Sequence, residues 1–253
     1  GPPILLIHGL MAYSFSWRFA IPALAPVRTV YAPDLLGTGY SDHPSDIDYS
    51  ITAAADRLWN FLDQLDVTNV DIVGSSLGGG IAVRMAASQP ERVKKLVLAA
   101  PVNPWSRHGR LIVRMLATQP GGKMFIAFVP LIQASGELWL KRLFGDPKRI
   151  CPGTLEGYSS PLLETSAWNY GLAIMANFRQ DLDDLQRDYA ALANKPVMLI
   201  WGTCDRAVHF SSAKEIMKRI PNARLEAMRG VGHIPYDEAP EEFNRLLLDF
   251  LLH

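Results

Sequence analysis

The sequence predicts an α/β fold in which a mostly parallel sheet is flanked by helices and interrupted by an inserted helical cap. Short apolar runs of strand length alternate along the chain with segments of helical periodicity. The runs are continuously apolar, which indicates strands that are covered on both faces and therefore a parallel sheet. The alternation stops for about ninety residues in the middle of the chain, where a loop without secondary structure would be rare in a compact domain.

Five apolar runs have the length and composition of buried strands. They occupy residues 4–7, 29–32, 70–73, 96–100 and 197–201. Parallel strands need crossover connections, so we expect helices between these strands.

Two stretches show the apolar periodicity of helices that pack one face against a core. Their apolar side chains recur at intervals of three and four positions, as expected for helices that cover a sheet. These side chains are Leu58, Phe61, Leu62 and Leu65 in the first stretch, and Phe243, Leu246, Leu247, Phe250 and Leu251 in the second.

The segment between Pro101 and Lys195 contains no strand-like run and is rich in Trp, Met, Phe and Leu with scattered Gly and Pro. This composition predicts several short helices. We therefore divide the chain into a core of residues 1–102 and 193–253 and a helical cap of residues 103–192.

The aromatic and Met-rich cap predicts an apolar small-molecule ligand. The candidate substrate-binding residues are Met11 of the core and Trp105 and Trp168 of the cap. The cap also carries polar residues that could orient a substrate, although exposed charges of this kind usually face solvent; they are Arg107, His108 and Arg110.

Composition excludes several classes of protein. The 25 Lys and Arg residues balance the 25 Asp and Glu residues, so there is no overall basic field to attract nucleic acid. The most apolar stretch, residues 124–132, is far shorter than the roughly 20 residues that cross a bilayer. Cys151 and Cys204 form neither a disulfide framework nor a Cys-x-x-Cys site. No secretory signal pattern precedes the first apolar run, which favours a cytoplasmic location.

The clearest chemical motif is Gly74-Ser75-Ser76-Leu77-Gly78, which lies between a strand-like run and a helical run. A Ser on such a turn is held in a strained backbone conformation, and small residues two positions before and after it avoid steric clash. Gly74 and Gly78 supply these small residues. The turn raises the Ser76 hydroxyl above the sheet beside the positive end of a helix. The competing interpretations are that Ser75 is the exposed hydroxyl or that the glycines only pack a helix.

A neutral Ser hydroxyl needs a base that is oriented by a third group. Asp205 follows the strand-like run that ends at Trp201, and His233 lies in a Gly-rich loop before the last helix. The order Ser, Asp, His along the chain is that of a nucleophile-elbow hydrolase. The alternatives are a turn-capping carboxylate for Asp205 and a hydrogen-bonded loop residue for His233.

Stabilising an oxyanion requires two backbone N–H donors. We expect one from Leu77, directly after the nucleophile, and the other from the loop that follows the first strand, where we favour Leu10 over Met11. His8 in that loop has no second metal ligand at a recognisable spacing, so we expect it to stabilise the loop. No metal site is predicted.

Five blocks taken together resemble the α/β-hydrolase superfamily in its capped branch of esterases, C–C bond hydrolases and epoxide hydrolase relatives. They are His8-Gly9, Pro33 to Ser41, Gly74 to Gly79, Gly202 to Asp205 and Gly232 to Pro235. The blocks span nearly all the chain outside the cap. The resemblance implies the α/β-hydrolase fold, the Ser76, Asp205 and His233 triad, and a reaction without cofactors.

Within that branch the nucleophile discriminates between activities. Epoxide hydrolases and haloalkane dehalogenases resemble this chain but carry Asp where Ser76 stands, so these two activities are disfavoured. The C–C bond hydrolases typically carry Asn at the position of Ser75, Trp at that of Ile234 and extra glycines after His-Gly, where this chain reads Leu10-Met11-Ala12.

The resemblance thus predicts a serine carboxylesterase that acts on apolar esters through an acyl-enzyme intermediate. The alternatives are a C–C bond hydrolase that acts on vinylogous diketones and a small-molecule receptor with slow hydrolytic turnover. Turnover number would separate an enzyme from a receptor.

Relatives in this superfamily usually have one or two strands before the strand that leads to His-Gly, whereas this sequence starts almost directly on it. We therefore expect either a truncated chain or a sheet whose rim is the strand of residues 29–32. A strand at the rim presents unpaired backbone groups that favour association, so an N-terminally extended chain is predicted to aggregate less.

Overall fold

A computed structural model describes residues 1–106, 110–163 and 165–253, apart from the side chains of residues 110–112 and 165–166. These described residues form one six-stranded sheet in which every neighbouring pair is parallel. The spatial order is β2-β1-β3-β4-β5-β6. The strands are β1 (Pro3–Ile7), β2 (Thr29–Tyr31), β3 (Val70–Ser75), β4 (Val93–Ala99), β5 (Val197–Gly202) and β6 (Arg224–Met228).

The predicted α/β fold with a parallel sheet is confirmed, and the five apolar runs correspond to β1 to β5. The sixth strand, β6, was not predicted because its sequence is not a continuous run of apolar residues. Its Arg224 and Ala227 are exposed and only Met228 is fully buried, as expected for a strand at the edge of the sheet. At the opposite edge lies β2, which is only half-buried.

The helices of the described chain cover both faces of this sheet. Those of the first part are α1 (Ala20–Leu24), α2 (Ile51–Gln64) and α3 (Leu77–Ser88). Those of the inserted segment are α4 (Arg110–Leu116), α5 (Gln119–Ala134), α6 (Gly136–Leu143), α7 (Thr154–Ser159) and α8 (Thr165–Ala191). The last three are α9 (Ala213–Met217), α10 (Pro235–Glu238) and α11 (Pro240–Leu252). None of the described helices has the length and apolar character needed to span a bilayer.

The two faces of the sheet bury separate apolar cores because side chains alternate along each strand. Leu5 and Ile72 point into a core shared with α2, α3 and the last turns of α8. Leu6, Val73 and Met198 point into the other core, which is completed by Trp17 and α11. Each fully buried side chain of this kind contributes about 1.5–3 kcal/mol to folding.

The predicted apolar stripes differ from the packing at their ends. Leu58 and Leu62 lie on the buried face of α2, but Leu65 is 44% exposed. The helix ends at Gln64 and Asp66 has φ of 55°, so the chain turns away before Leu65 can reach the core. In α11 the stripe is buried at all positions except Phe250, which is half-buried.

The inserted segment is helical, as its composition predicts, but it is not made only of short helices. Helix α8 is 27 residues long. Its last turns place Leu185 and Tyr189 in the first core, while Leu140 and Phe144 near the end of α6 enter the second. Parts of the segment assigned to the cap therefore belong to the packing of the sheet.

Candidate active site

Ser76 occupies a sharp turn between β3 and α3. Its backbone has φ of 51° and ψ of −116°, a strained conformation for a residue that carries a Cβ. Hydrogen bonds hold the residue there. Its N–H donates to Ala99 O (3.0 Å), and its carbonyl accepts from the amides of Gly79 (3.0 Å) and Val102 (2.9 Å).

The glycines two positions before and after Ser76 are required by close backbone contacts. A Cβ at Gly74 would lie 2.3 Å from Gly78 O. A Cβ at Gly78 would lie 2.3 Å from Ile7 O and 2.4 Å from His8 O. These distances are far below van der Waals contact, so the start of α3 packs directly on the end of β1 only because the glycines have no side chain.

The two serines of the turn have different environments. Ser75 is fully buried, and its hydroxyl donates to the hydroxyl of Tyr236 (3.3 Å). Ser76 is partly exposed. The structure therefore presents Ser76, and not Ser75, to the surface above the sheet.

Asp205 follows β5, and its buried carboxylate is held by four donors. Oδ1 accepts from the amides of Ala207 (2.8 Å) and Val208 (2.9 Å). Oδ2 accepts from Trp201 Nε1 (3.1 Å) and lies 2.8 Å from His233 Nδ1. Such a network stabilises a buried carboxylate and fixes its orientation.

His233 is buried and lies in the loop between β6 and α10. Its amide donates to Leu143 O at the end of α6 (2.7 Å), and its Nδ1 is engaged by Asp205. This leaves Nε2 as the ring nitrogen available to a nucleophile.

The structure brings Asp205 and His233 into direct contact. It places Ser76 at the same end of the sheet, beyond the carboxyl ends of the strands. Ser76 follows β3 and Asp205 follows β5, with β4 between them, so about 10 Å of sheet separates the two strand ends. Among the described residues no hydrogen bond joins Ser76 Oγ to His233. Bonds between a nucleophile and its base are often long until substrate binds.

The loop after β1 lies beside Ser76. A Cβ added to Gly9 would be 3.3 Å from Ser76 Cβ and 3.9 Å from its Oγ. Met11 has φ of 56°, and the Ala12 amide donates to Gly9 O (3.3 Å), so the loop turns tightly here. Leu77, directly after Ser76, is the first residue of α3, where helix N–H groups have no acceptor within the helix. The Leu10 and Leu77 amides therefore remain the expected oxyanion donors.

His8 connects the loop after β1 with the loop after β2. Its Nδ1 donates to Gly9 O (2.9 Å), and its Nε2 accepts from the amide of Leu35 (3.0 Å). Burial lowers the pKa of His8, which keeps the ring neutral and suits an Nε2 that accepts. This arrangement suits the expected loop-stabilising role.

A cavity of about 450 Å³ extends from the Leu10–Met11 loop into the inserted segment. This volume is in the range of small-molecule sites. Its wall is mostly apolar, and most of the lining residues belong to the helices α5 to α8. The lining includes Leu10, Met11, Phe125, Ile132, Gln133, Trp139, Leu140, Tyr158, Ser159, Leu162, Trp168, Leu172 and Met175.

Two of the three predicted substrate-binding residues line this cavity, namely Met11 and Trp168. The structure does not bring Trp105 there. Its ring packs against Tyr189 (centroid distance 5.3 Å) and under the guanidinium of Arg219 (4.0 Å). Among the polar cap candidates, Arg107 and His108 lie outside the described residues, as does the side chain of Arg110.

Sequence reasoning missed Trp201 and Glu238. Trp201 donates to Asp205, and a buried indole N–H that needs a partner was the available signal. Glu238 accepts three backbone amides around the His233 loop. Nothing in the local pattern marks this carboxylate as buried.

Comparison with known proteins gives consistent matches. The family model described as alpha/beta hydrolase fold matches residues 2–240. An uncharacterized protein of Mycobacterium tuberculosis is 33% identical over 262 residues, covering 99% of this chain and 75% of that protein. A 2-hydroxymuconate semialdehyde hydrolase of Pseudomonas putida is 30% identical over 258 residues, with 99% and 87% covered. The crystal structure of an alpha/beta hydrolase fold protein from Burkholderia ambifaria matches with a TM-score of 0.86 and 26% identity, over 98% of this chain and 90% of that chain.

Proposed function

The chain belongs to the alpha/beta hydrolase fold family, and on that premise we propose that it is a serine hydrolase that cleaves carboxylic esters of apolar substrates. The observation that carries the proposal is the 2.8 Å contact between His233 Nδ1 and Asp205 Oδ2. This contact lies at the carboxyl end of the sheet, where Ser76 is held in a strained turn. Nucleophile, base and orienting acid are then all supplied by the chain.

The reaction proceeds through an acyl-enzyme. Ser76 Oγ attacks the ester carbonyl carbon while His233 Nε2 takes its proton. The tetrahedral oxyanion collapses, the alkoxide leaves with the proton from His233, and the acyl group stays on Ser76. Water then attacks the acyl carbon with His233 again as base, releasing the carboxylic acid and restoring Ser76. Asp205 holds the imidazole tautomer throughout and stabilises its charge.

The amides of Leu10 and Leu77 stabilise the oxyanion in this proposal. Leu77 lies at the N-terminal end of α3, where the helix dipole also favours negative charge. The Leu10 loop lies beside Ser76, since a Cβ added to Gly9 would be only 3.3 Å from Ser76 Cβ. Loss of one such donor typically costs about 10²–10³ in rate.

The lining of the cavity supports a substrate whose acyl or alcohol portion is apolar. Its described lining residues carry no charged side chain, and the polar ends of two of them already have partners. Gln133 Nε2 donates to Leu162 O (2.7 Å), and Tyr158 OH donates to Asp237 Oδ2 (2.8 Å). An ionised substrate group would lose its hydration there without compensation.

A second candidate function is C–C bond hydrolysis, which the 2-hydroxymuconate semialdehyde hydrolase relatives favour. The names of these relatives denote substrates that carry a carboxylate. The absence of a charged side chain among the described lining residues favours the neutral ester over such a substrate.

The test compares the unmodified protein with Ser76→Ala on p-nitrophenyl esters from acetate to long acyl chains, and on a dienoate ring-fission product. We expect ester turnover that disappears in the variant, and stoichiometric labelling of Ser76 by a fluorophosphonate. If the protein hydrolyses the dienoate but none of the esters, its function is C–C bond hydrolysis and the ester proposal is wrong. Ester turnover that survives in Ser76→Ala would contradict the proposal.

A matched pair of variants tests the acyl pocket. Ile132 and Leu131 are neighbours on α5, but Ile132 lines the cavity whereas Leu131 is 66% exposed. Ile132→Trp fills part of the cavity, so kcat/KM for long acyl esters should fall at least tenfold more than that for acetate. Leu131→Trp should leave the chain-length profile unchanged. Identical profiles in both variants would mean that the acyl group binds elsewhere.

A further inference from the structure

Glu238, the last residue of α10, is a buried carboxylate that lies between the His233 loop and the inserted segment. Its side chain is fully inaccessible to solvent. Oε2 accepts from the amides of Gly232 (2.7 Å) and Gly145 (2.8 Å), and Oε1 accepts from the amide of Asp146 (2.9 Å). One side chain thus binds the backbone on both sides of this boundary.

The two backbone segments joined by Glu238 are also in direct contact. The amide of His233 donates to Leu143 O (2.7 Å). A Cβ at Gly145 would lie 2.2 Å from Gly230 O, and a Cβ at Gly232 would lie 2.2 Å from Leu143 O. The backbone of residues 143–146, which begin at the last residue of α6, therefore packs directly against the backbone of residues 230–233.

We propose that Glu238 is a positioning residue for His233, and that through it the place of the catalytic imidazole depends on the inserted segment. The inference rests on the proposed function, since it assigns Glu238 a role in the same reaction. Gly232 precedes His233 directly, so the hydrogen bond to its amide sets the backbone from which the imidazole projects. Asp205 fixes one ring nitrogen, and Glu238 fixes the main chain behind the ring.

Hydrogen bonds to an ionised carboxylate are shorter and stronger than those between neutral groups. A buried carboxylate with three amide donors is therefore a rigid junction. Arg149, whose Nη1 lies 3.7 Å from Oε1, adds a partly exposed positive charge to the same carboxylate. Helix α6 carries Gly136, Trp139 and Leu140 into the wall of the cavity. Because Gly145 and Asp146 follow this helix directly, a displacement of α6 would also move the backbone of His233.

The test is Glu238→Gln, which keeps the shape of the side chain but replaces one accepting oxygen by a donor facing backbone N–H. We expect kcat for a short p-nitrophenyl ester to fall at least tenfold with KM within about twofold, and fluorophosphonate labelling of Ser76 to slow by a similar factor. The His233 Nδ1 proton resonance should also shift or broaden. The matched control, Glu242→Gln, alters an exposed carboxylate on α11 and should change none of these.

Three outcomes separate the possibilities. If Ser76 of the unmodified protein is not labelled, the proposed function fails. If it is labelled and Glu238→Gln is labelled at the same rate with an unchanged His233 resonance, the positioning role alone is overturned, even if the melting temperature drops. Should Glu238→Gln not fold, Arg149→Gln provides the measurement, because its side chain is 43% exposed. We expect a two- to threefold slower labelling in that variant, and an unchanged rate would overturn the inference.

Discussion

At the scale of single residues, the site depends on positions where a side chain is absent as much as on those where one is present. Ser76 has a left-handed φ that is costly for a residue with a Cβ, and the surrounding hydrogen bonds maintain it. Gly74 and Gly78 remove the atoms that would otherwise separate α3 from β1 and β3. The strain at Ser76 is thus supported by close packing, as is common at functional sites.

The substitution Gly78→Ala tests this packing. The added Cβ would meet two backbone carbonyl oxygens, Ile7 O and His8 O, which cannot move without displacing β1. We expect a loss of about 3 kcal/mol, or roughly 10 °C in melting temperature, together with slower labelling of Ser76.

The control for this substitution is Gly136→Ala. At that position the nearest atom to a new Cβ is Leu155 Cδ1 at 3.6 Å, an ordinary contact. Its melting temperature should stay within about 2 °C of the unmodified protein. A Gly78→Ala protein that is as stable as Gly136→Ala would disprove the packing argument.

At the scale of secondary-structure elements, α8 joins the cavity to the core. Its first turns carry Trp168 and Leu172 into the cavity wall, and its last turns bury Leu185 and Tyr189 beneath the sheet. Between them Asp181 Oδ1 accepts from the amide of Ile51 (3.1 Å), the first residue of α2. Burial, with the nearby charges of Asp48 and Asp184, raises the pKa of Asp181 to about 6.

This shift predicts a pH-dependent stability that Asp181→Asn should remove. In the unfolded chain Asp181 ionises near pH 4, whereas in the folded protein it holds its proton up to about pH 6. Stability therefore falls as pH rises through this interval, and the cost is complete above pH 6. We expect Asp181→Asn to raise the melting temperature at pH 8 by roughly 2–4 °C more than it does at pH 4.

Asp183→Asn is the control on the same helix because Asp183 is exposed. Thermal melts at pH 4 and pH 8 should differ by the same amount in this variant and in the unmodified protein. A gain from Asp181→Asn that is equal at both pH values would show that the Asp181 charge carries no folding cost.

At the scale of the whole molecule, one buried ion pair joins three distant parts of the chain. Arg18, before α1, makes two hydrogen bonds to Asp237 of α10, which is fully buried. Arg18 Nη2 also donates to Thr154 Oγ1 (3.0 Å), and Tyr158 OH donates to Asp237 (2.8 Å), both from α7. The first loop, the segment after His233 and the inserted segment thus meet at one carboxylate.

Breaking this pair on one side should cost more than removing both partners. Arg18→Met leaves an uncompensated buried carboxylate, which typically costs about 3–5 kcal/mol, or roughly 10 °C here. Arg18→Met combined with Asp237→Leu removes both charges and should recover at least half of that loss.

Arg224→Met provides the surface comparison. Arg224 pairs with Glu226 and Asp249 at an exposed site, where solvent screens the charges and an ion pair adds little to stability. It should therefore lower the melting temperature by no more than about 3 °C. A protein with both Arg18→Met and Asp237→Leu that is no more stable than Arg18→Met alone would contradict the desolvation argument.

The α/β fold, the strands β1 to β5 and the helical nature of the inserted segment could all be predicted from the amino-acid sequence. The sequence also singled out Ser76, Asp205 and His233, the last two of which the structure joins by a hydrogen bond. These features are readable because they follow from local causes. Continuous apolar runs report burial on both faces, and a Ser between glycines at a strand-to-helix turn reports backbone geometry.

Three features follow only from packing in three dimensions: the edge strand β6, the contact of Trp105 with Arg219 and the backbone hydrogen bonds of Glu238. Each depends on partners far away along the chain. Glu238 accepts from Gly145 and Asp146, more than ninety positions earlier, and a lone Glu before Pro240 gives no sign of this. Local pattern records whether a side chain is apolar and how the backbone turns, whereas the partner of a buried polar group is set by the packing of the whole chain.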